Sequence, residues 1–339
     1  MNSFLLEYVW IGGNNELRSK IKVINSNKSL DELNFNEIKE WDFDGSSTNQ
    51  ANGNDSEIII KPVKLYNNPF YKERSLLVLC DTWYPDGSPH ETNNRYKADL
   101  IFKKALDKKP MFGMEQEFFL IDPATNLPLG FPQNGFPEPQ GKYYCSVGTS
   151  NSYLRQFLDE AMYTLFCANI PVTGCNYEVC PGQMEIQVCS IGIEQADNLI
   201  ITRYILHRLS ERYNVRVDFN AKPVKGDWNG SGCHTNFSTI DMRENENGYE
   251  LILEAIKKLE NKHIEHIRCY GNDNYQRLTG LHETAHISEF SYGVANRGAS
   301  IRIPRTTEKN KKGYFEDRRP SSSCDPYLVT SKIFETCCL

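Results

Sequence analysis

The run Gly113-Met114-Glu115-Gln116-Glu117-Phe118-Phe119 sets two carboxylates two residues apart inside an apolar stretch. On a strand they project from one face, with Cα atoms about 6.6 Å apart. Two like charges at that spacing invite a shared cation. An exposed edge strand is the plainer alternative, and the flanking Met, Phe and Leu side chains argue against it. A second acidic pair lies in Asn176-Tyr177-Glu178-Val179-Cys180-Pro181-Gly182-Gln183-Met184-Glu185. Its Pro-Gly is a turn signal that would fold Glu178 back beside Glu185. Met184, Ile186 and Val188 then form one face of the returning strand, and Gln183, Glu185 and Gln187 the other.

Two further segments carry chemistry. In Asp227-Trp228-Asn229-Gly230-Ser231-Gly232-Cys233-His234-Thr235-Asn236-Phe237-Ser238 the paired glycines allow backbone to approach a ligand, and a histidine follows. A lone histidine is more often structural. The last third holds Arg277, Arg297, Arg302, Arg305, Arg318 and Arg319. Arginine forks grip carboxylate and phosphate bidentately, while for any one arginine a surface ion pair is the commoner role. Arg302, between Ile301 and Ile303, faces away from its apolar neighbours. His263 and His266, one helical turn apart, look like a metal pair, but the helix they share has a core stripe, and they read as flanking it.

These residues need elements to hold them. Residues 57–63 (EIIIKPV) and 76–80 (LLVLC) read as strands in a strand-rich first hundred, and 49–54 as loop. The polar, Pro-containing stretch 81–94 suits a boundary, giving domains 1–85 and 86–339. Helical periodicity covers 154–165, 199–213 and 251–267. No repeat is found. At 339 residues the chain is long for one core. With 39% hydrophobic and 24% charged residues it is globular rather than disordered. A net charge of −6 makes nucleic acid an unsuitable main partner. No apolar run of about 18 residues, no signal sequence and no CxxC pair is present, so the reading is a cytoplasmic protein with reduced thiols, no membrane partner and no zinc knuckle.

Together, Glu7-Tyr8-Val9-Trp10, the segment WDFDGSST from Trp41, GMEQE, EVCPGQME, NGSGCHTNFS, RLTGLHET, GVANRGASIRIPR and GYFEDRRPSSSCDPY resemble glutamine synthetase of the shorter eukaryotic type, over almost the whole chain. The resemblance implies an α+β fold: a small N-terminal β-grasp domain, then a larger α/β catalytic domain on a curved antiparallel sheet. It implies ligation of ammonia to the side-chain carboxylate of L-glutamate through γ-glutamyl phosphate, with ATP as co-substrate and two or three Mg2+ or Mn2+ per site. Oxygen ligands with a single imidazole suit those ions.

Carried over, the metal ligands are Glu115, Glu117, Glu178, Glu185, His234 and Glu316. Ser47, Asn229, Gly230, Arg277, Arg297 and Arg318 serve glutamate and ammonium. Glu115, Glu185, Asn236, Phe237, Ser238, Arg297, Arg302 and Tyr314 serve ATP. Asp44, Glu283, Arg297 and Arg318 are catalytic, Asp44 taking a proton from ammonium and Glu283 closing over the intermediate. A homo-oligomer of two pentameric rings, with sites between subunits, is also implied. Met111, Met184 and Gln276 depart from the family's usual residues, which suggests altered nucleotide affinity. A ligase for larger amines, or a regulatory homologue that keeps activity, is the rival reading. Retention of Asp44 and Ser47 favours ammonia.

Overall fold

The computed structural model describes residues 2–33, 35–71, 73–134 and 136–339. The chain forms two compact units, 1–100 with 164–170, and 101–163 with 171–339. The first is built from β1 (Asn2–Ile11), β2 (Leu17–Ser26), β3 (Trp41–Asp44), β4 (Glu57–Asn67) and β5 (Ser75–Trp83). Its sheet runs β2-β1-β5-β4-β3, with β1 and β5 parallel and the other pairs antiparallel, a β-grasp arrangement. β5 is central, which accounts for its near-continuous apolar run: Leu77, Val78 and Leu79 are all buried, although they alternate between faces. Leu6, Tyr8, Trp10, Phe43, Ile58 and Ile60 pack with Val78 into the core. α1 (Asn94–Phe102) follows.

The second unit is organised around β6 (Met111–Asp122), the strand that carries Glu115 and Glu117. Its other elements are β7 (Leu127–Pro128), α2 (Arg155–Cys167, ending in the first unit), β8 (Val172–Tyr177), β9 (Gln183–Ile191), α3 (Glu194–Tyr213), β10 (Arg216–Asp218), β11 (Cys233–Ser238), α4 (Ile240–Glu244), α5 (Gly248–Asn261), α6 (His263–Ile267), β12 (Tyr292–Val294), β13 (Ile301–Ile303), α7 (Arg305–Asn310), β14 (Phe315–Asp317) and α8 (Pro326–Cys338). The sheet path is β12-β13-β14-β11-β6-β9-β8, with β7 and β10 paired to β6. All pairs are antiparallel except β12–β13. The α+β class that the resemblance implies holds.

One face of this sheet is apolar and the other chemical. Met114, Phe118, Met184, Ile186 and Val188 are fully buried, and α3 packs against β9, β6 and α8. Asp325 caps α8 by accepting from the N–H of Tyr327 and Leu328, with Pro326 in the first turn. No helix among the described residues is long and apolar enough to cross a membrane.

Two expectations need correction. The helix read over 251–267 is two helices, α5 and α6, broken at Lys262 (φ −109°, ψ 17°). The break turns His263 and His266 inward. His263 bonds Ile287 O and Arg319, and His266 bonds the hydroxyls of Tyr270 and Thr336. All four ring nitrogens are therefore engaged by protein, as the structural reading of that pair requires. Met184 lies wholly in the core on the reverse face from Glu185, so its departure from the family concerns packing rather than nucleotide contact.

Candidate active site

Strand register assembles the acidic residues into three rows across the sheet. Asn176, Glu185 and Glu117 are neighbours across β8, β9 and β6. Gln187, Glu115 and His234 are neighbours across β9, β6 and β11. Asn236, Glu316 and Arg302 are neighbours across β11, β14 and β13. Period-two alternation puts every one of these side chains on the same face. The Pro181-Gly182 turn, with Gly182 at φ +73°, returns the chain so that Glu178 N–H donates to Gln183 O at 3.0 Å, beside the first row. All of these row residues except Asn236 form the floor of a cleft of ≈ 300 Å³, closed by Asn229, Gly230, Arg277, His282, Glu283, Arg297 and Arg318.

The distances define one compact group of ligand atoms. His234 Nδ1 lies 3.5 Å from Glu115 Oε2, 3.5 Å from Glu316 Oε1 and 3.8 Å from Glu117 Oε1. Single ligand atoms of Glu115, His234 and Glu316 fall within 4.8 Å of one another. A Cβ at Gly232 would sit 2.8 Å from His234 Nε2, so glycine there makes room for the imidazole. Amides fix the remaining oxygens: Asn236 donates to Glu115 (2.9 Å), Gln183 and Gly232 N–H to Glu117 (3.0 and 2.9 Å), Asn176 to Glu178 (2.9 Å), and Gln187 to Glu185 (2.7 Å). Held carboxylates with one imidazole fit a hard divalent cation.

Charge balance is uneven. Arg302 and Arg318 flank Glu316 at 2.8 and 2.6 Å. Among the described residues the other four glutamates have no arginine paired with them. Burial pushes Glu178 up to about 7. Burial, with the neighbouring Glu178 charge, pushes Glu117 to about 8. Burial, followed by Glu115 and then Glu117, pushes Glu185 to about 9. Burial, with Arg318, holds the His234 imidazole neutral, as a ligand requires.

Cation binding must therefore displace protons, and affinity for Mn2+ or Mg2+ should rise from pH 6 to 9 with net proton release. These folded-state values lie above the unfolded carboxyl range. Their stabilising contribution is complete below about pH 4.5 and is lost as pH rises through 7 to 9. The increase in melting temperature on adding Mn2+ should accordingly be larger at pH 9 than at pH 6. An increase that shrinks with pH would contradict the assigned acids.

The arginines divide by what remains for a ligand. Arg277 spends NH2 on the carbonyls of Arg318, Arg319 and Pro320 (2.8, 3.0 and 2.8 Å) and Nε on Asn274 (3.3 Å), leaving NH1 for the cleft. Arg302 Nε is buried without a hydrogen-bond partner among the described residues, an orphan donor suited to an anion. Arg297 is half exposed and pairs with Glu283 at 2.7 Å. His282 and Glu283 have φ of +52° and +61°, successive left-handed residues that mark a strained strap.

Four of the nucleotide residues named from the sequence do not line the cleft. Phe237 is fully buried, its ring packed on Phe112 and Phe315, so only its backbone could meet a nucleotide. Ser238 is engaged by Arg243 (2.9 and 3.0 Å), and Asn236 acts through Glu115. Tyr314 is partly exposed beside the acids. Asp44 and Ser47 belong to the first unit. Asp44 accepts from Ser46 N–H (3.0 Å), Ser46 Oγ (2.6 Å) and Ser47 Oγ (2.7 Å), bonds that hold its exposed carboxyl at about 2. The buried amide Gln183 and the half-buried Asn176 were not given roles from sequence; the alternating acid–amide face of 183–187 was the signal for Gln183, and Asn176 had none beyond standing two residues before Glu178.

The family described as "Glutamine synthetase, catalytic domain" matches residues 90–338. A glutamine synthetase of Tuber borchii is 50% identical over 338 residues, 99% of this chain and 92% of that protein. Glutamine synthetase cytosolic isozyme 1-1 of Oryza sativa subsp. japonica is 48% identical over 336 residues, 98% and 93% of the two chains. The fold is also that of a cryo-EM structure of Plasmodium falciparum glutamine synthetase, at 18% identity and TM-score 0.79, covering 97% of this chain and 70% of that one. Sequence and fold thus agree with the rows of acids on the sheet: this chain belongs to the glutamine synthetase family.

Proposed function

We propose that the protein is a glutamate–ammonia ligase acting in the cytoplasm, forming L-glutamine, ADP and phosphate from L-glutamate, ammonium and ATP. The observation that carries this reading is the acidic face of β6, β9, β11 and β14, set beside arginines that still have nitrogens to offer. ATP and the glutamate carboxylates are anionic, and only a site rich in cations can bring them together. Glu115, His234 and Glu316 would hold one divalent ion, Mg2+ or Mn2+, and Glu117, Glu178 and Glu185 another. When bound, such ions neutralise phosphate charge as the γ-phosphoryl group passes to the glutamate side chain.

The chain's own groups do the rest. Arg302, through its orphan Nε, and Arg297 would meet the phosphates; Arg277 NH1, Arg318 and the backbone at Asn229 and Gly230 would hold glutamate. Glu283 would close over the γ-glutamyl phosphate and exclude water. Asp44 suits ammonium as an anchor: a carboxyl held near 2 attracts a cation strongly and accepts its proton weakly. The small-domain position of Asp44 and Ser47 favours a ring assembly, two pentamers in the resemblance, in which one subunit serves its neighbour.

An activated acyl phosphate accepts small nucleophiles. With Mg-ATP and glutamate, hydroxylamine is therefore expected to yield γ-glutamyl hydroxamate, and ADP release should depend on glutamate and be stimulated by ammonium. Efficient turnover of bulky amines, with none of ammonium, would replace this reading with the larger-amine ligase.

A further inference from the structure

The carboxamide of Gln140 touches three parts of the site at once. Its Oε1 accepts the backbone N–H of Asn229 at 2.9 Å, and its Nε2 donates to Asn229 Oδ1 at 2.7 Å and lies 3.3 Å from His282 Nδ1. The Cys180 thiol, in the turn after Glu178, donates to Oε1 at 3.5 Å. The orientation of this amide is fixed. A backbone N–H can only donate, so the atom facing it is the oxygen and the other is the nitrogen. His282 Nδ1 must then accept, which leaves its Nε2–H to donate to Asp227 Oδ1 at 2.9 Å.

The segment 221–231 that carries Asn229 and Gly230 has no strand or helix to hold it. Its own backbone ties are Ser231 N to Ala221 O and Trp228 N to Gly226 O, both 2.9 Å. Gln140 supplies the clamp at Asn229 itself. The neighbouring Gly141 N–H donates to Val179 O at 2.8 Å, and Val179 N–H donates to Glu178 Oε2 at 3.2 Å. One short chain of bonds thus runs from the Glu178 carboxylate through Gln140 to Asn229, with a branch through His282 to the strained strap that bears Glu283.

We infer that Gln140 is a positioning residue for the amino-acid substrate: it sets the place of the Asn229–Gly230 backbone against the acid cluster and registers that loop with the Glu283 strap. The inference rests on the ligase reading, in which that backbone holds glutamate. Gln140→Met keeps the length and removes every polar contact. It should raise KM for glutamate by roughly 10- to 100-fold while leaving KM for ATP within about three-fold, because displacement of about 1 Å costs on that scale where alignment matters. Gln140→Asn, which withdraws the amide by one methylene, should show the same selective rise and guards against a Met variant that does not fold. In an Asn229→Ala background, Gln140→Met should cost at least about five-fold less than it does alone, since the two side chains act as one unit. Unchanged KM for glutamate in a folded Gln140 variant overturns the inference, and so do equal rises in both KM values. Failure of the ligase reading would show separately, as a parent protein without glutamate-dependent ADP release.

Discussion

Alanine at His234 or at Glu178 is expected to lower kcat by about 10³-fold or more and to leave the chain folded. Loss of the imidazole removes the one nitrogen ligand from the group of Glu115, His234 and Glu316, whose ligand atoms lie within 4.8 Å. Three nearby carboxylates, Glu115, Glu117 and Glu316, then face a gap at 3.5 to 3.8 Å from where Nδ1 stood. Glu178 is a buried acid pushed up to about 7, whose stabilising contribution is already lost at about pH 8 to 9, so the cation-free fold should lose little by its removal there. Activity and folding therefore separate. Both variants should keep a cooperative thermal transition, and both should lose much of the rise in melting temperature that Mn2+ gives the parent. Parent-like kcat in the two variants, measured with the cation near half-saturation, would remove these residues from the metal site.

Much of this site was legible in the sequence because strand geometry is periodic. Glu115 and Glu117 two apart in an apolar run, and Glu185 between Met184 and Ile186, can face only one way once they lie on strands, and β6 and β9 place them there. Arg302 between two buried isoleucines was fixed by the same rule. The rest depends on contacts that no local pattern encodes. Phe237 has the spacing of its site neighbours Asn236 and Ser238, but period two sends its ring to the core. The HIEH pair looked like one continuous helix because its apolar stripe carries through residue 262; the break follows from bonds to Ile287, Arg319 and Thr336, each far away in the chain. Gln116, whose side chain points away from Glu115 and Glu117, gives no hint in sequence that it ties Arg203 (2.7 Å) and Ser322 (2.8 Å) together beneath them. Gln183 is similar: its long-range bonds to Glu117 and Gly230 exist only after β6, β9 and the glycine loop have assembled.

Asp44→Ala and Arg297→Ala should each be nearly inactive as pure proteins, with losses of about 10²-fold or more, and should recover activity when unfolded together and reassembled. The motive is that Asp44 lies in the first compact unit and every inferred metal ligand in the second. In a closed ring with one repeated heterologous interface, a site can draw on two chains. Arg297 suits the experiment because it is half exposed and its pairing with Glu283 is a surface one, so its loss should disturb folding little. Asp44 is likewise exposed, and its hydroxyl partners Ser46 and Ser47 can turn to water when it is removed. After mixing in equal amounts, about half of the subunits carry an intact Asp44 and the other half an intact Arg297. Random assembly then pairs the two intact residues at about a quarter of interfaces, so activity should approach roughly a quarter of the parent value if sites act independently. Sites formed within one chain give a different outcome: every subunit would carry one lesion in its own site, and the mixture would stay at the level of the pure variants however thoroughly it exchanged. Sizing of the mixed assemblies, with one variant carrying a mass tag, establishes that exchange took place.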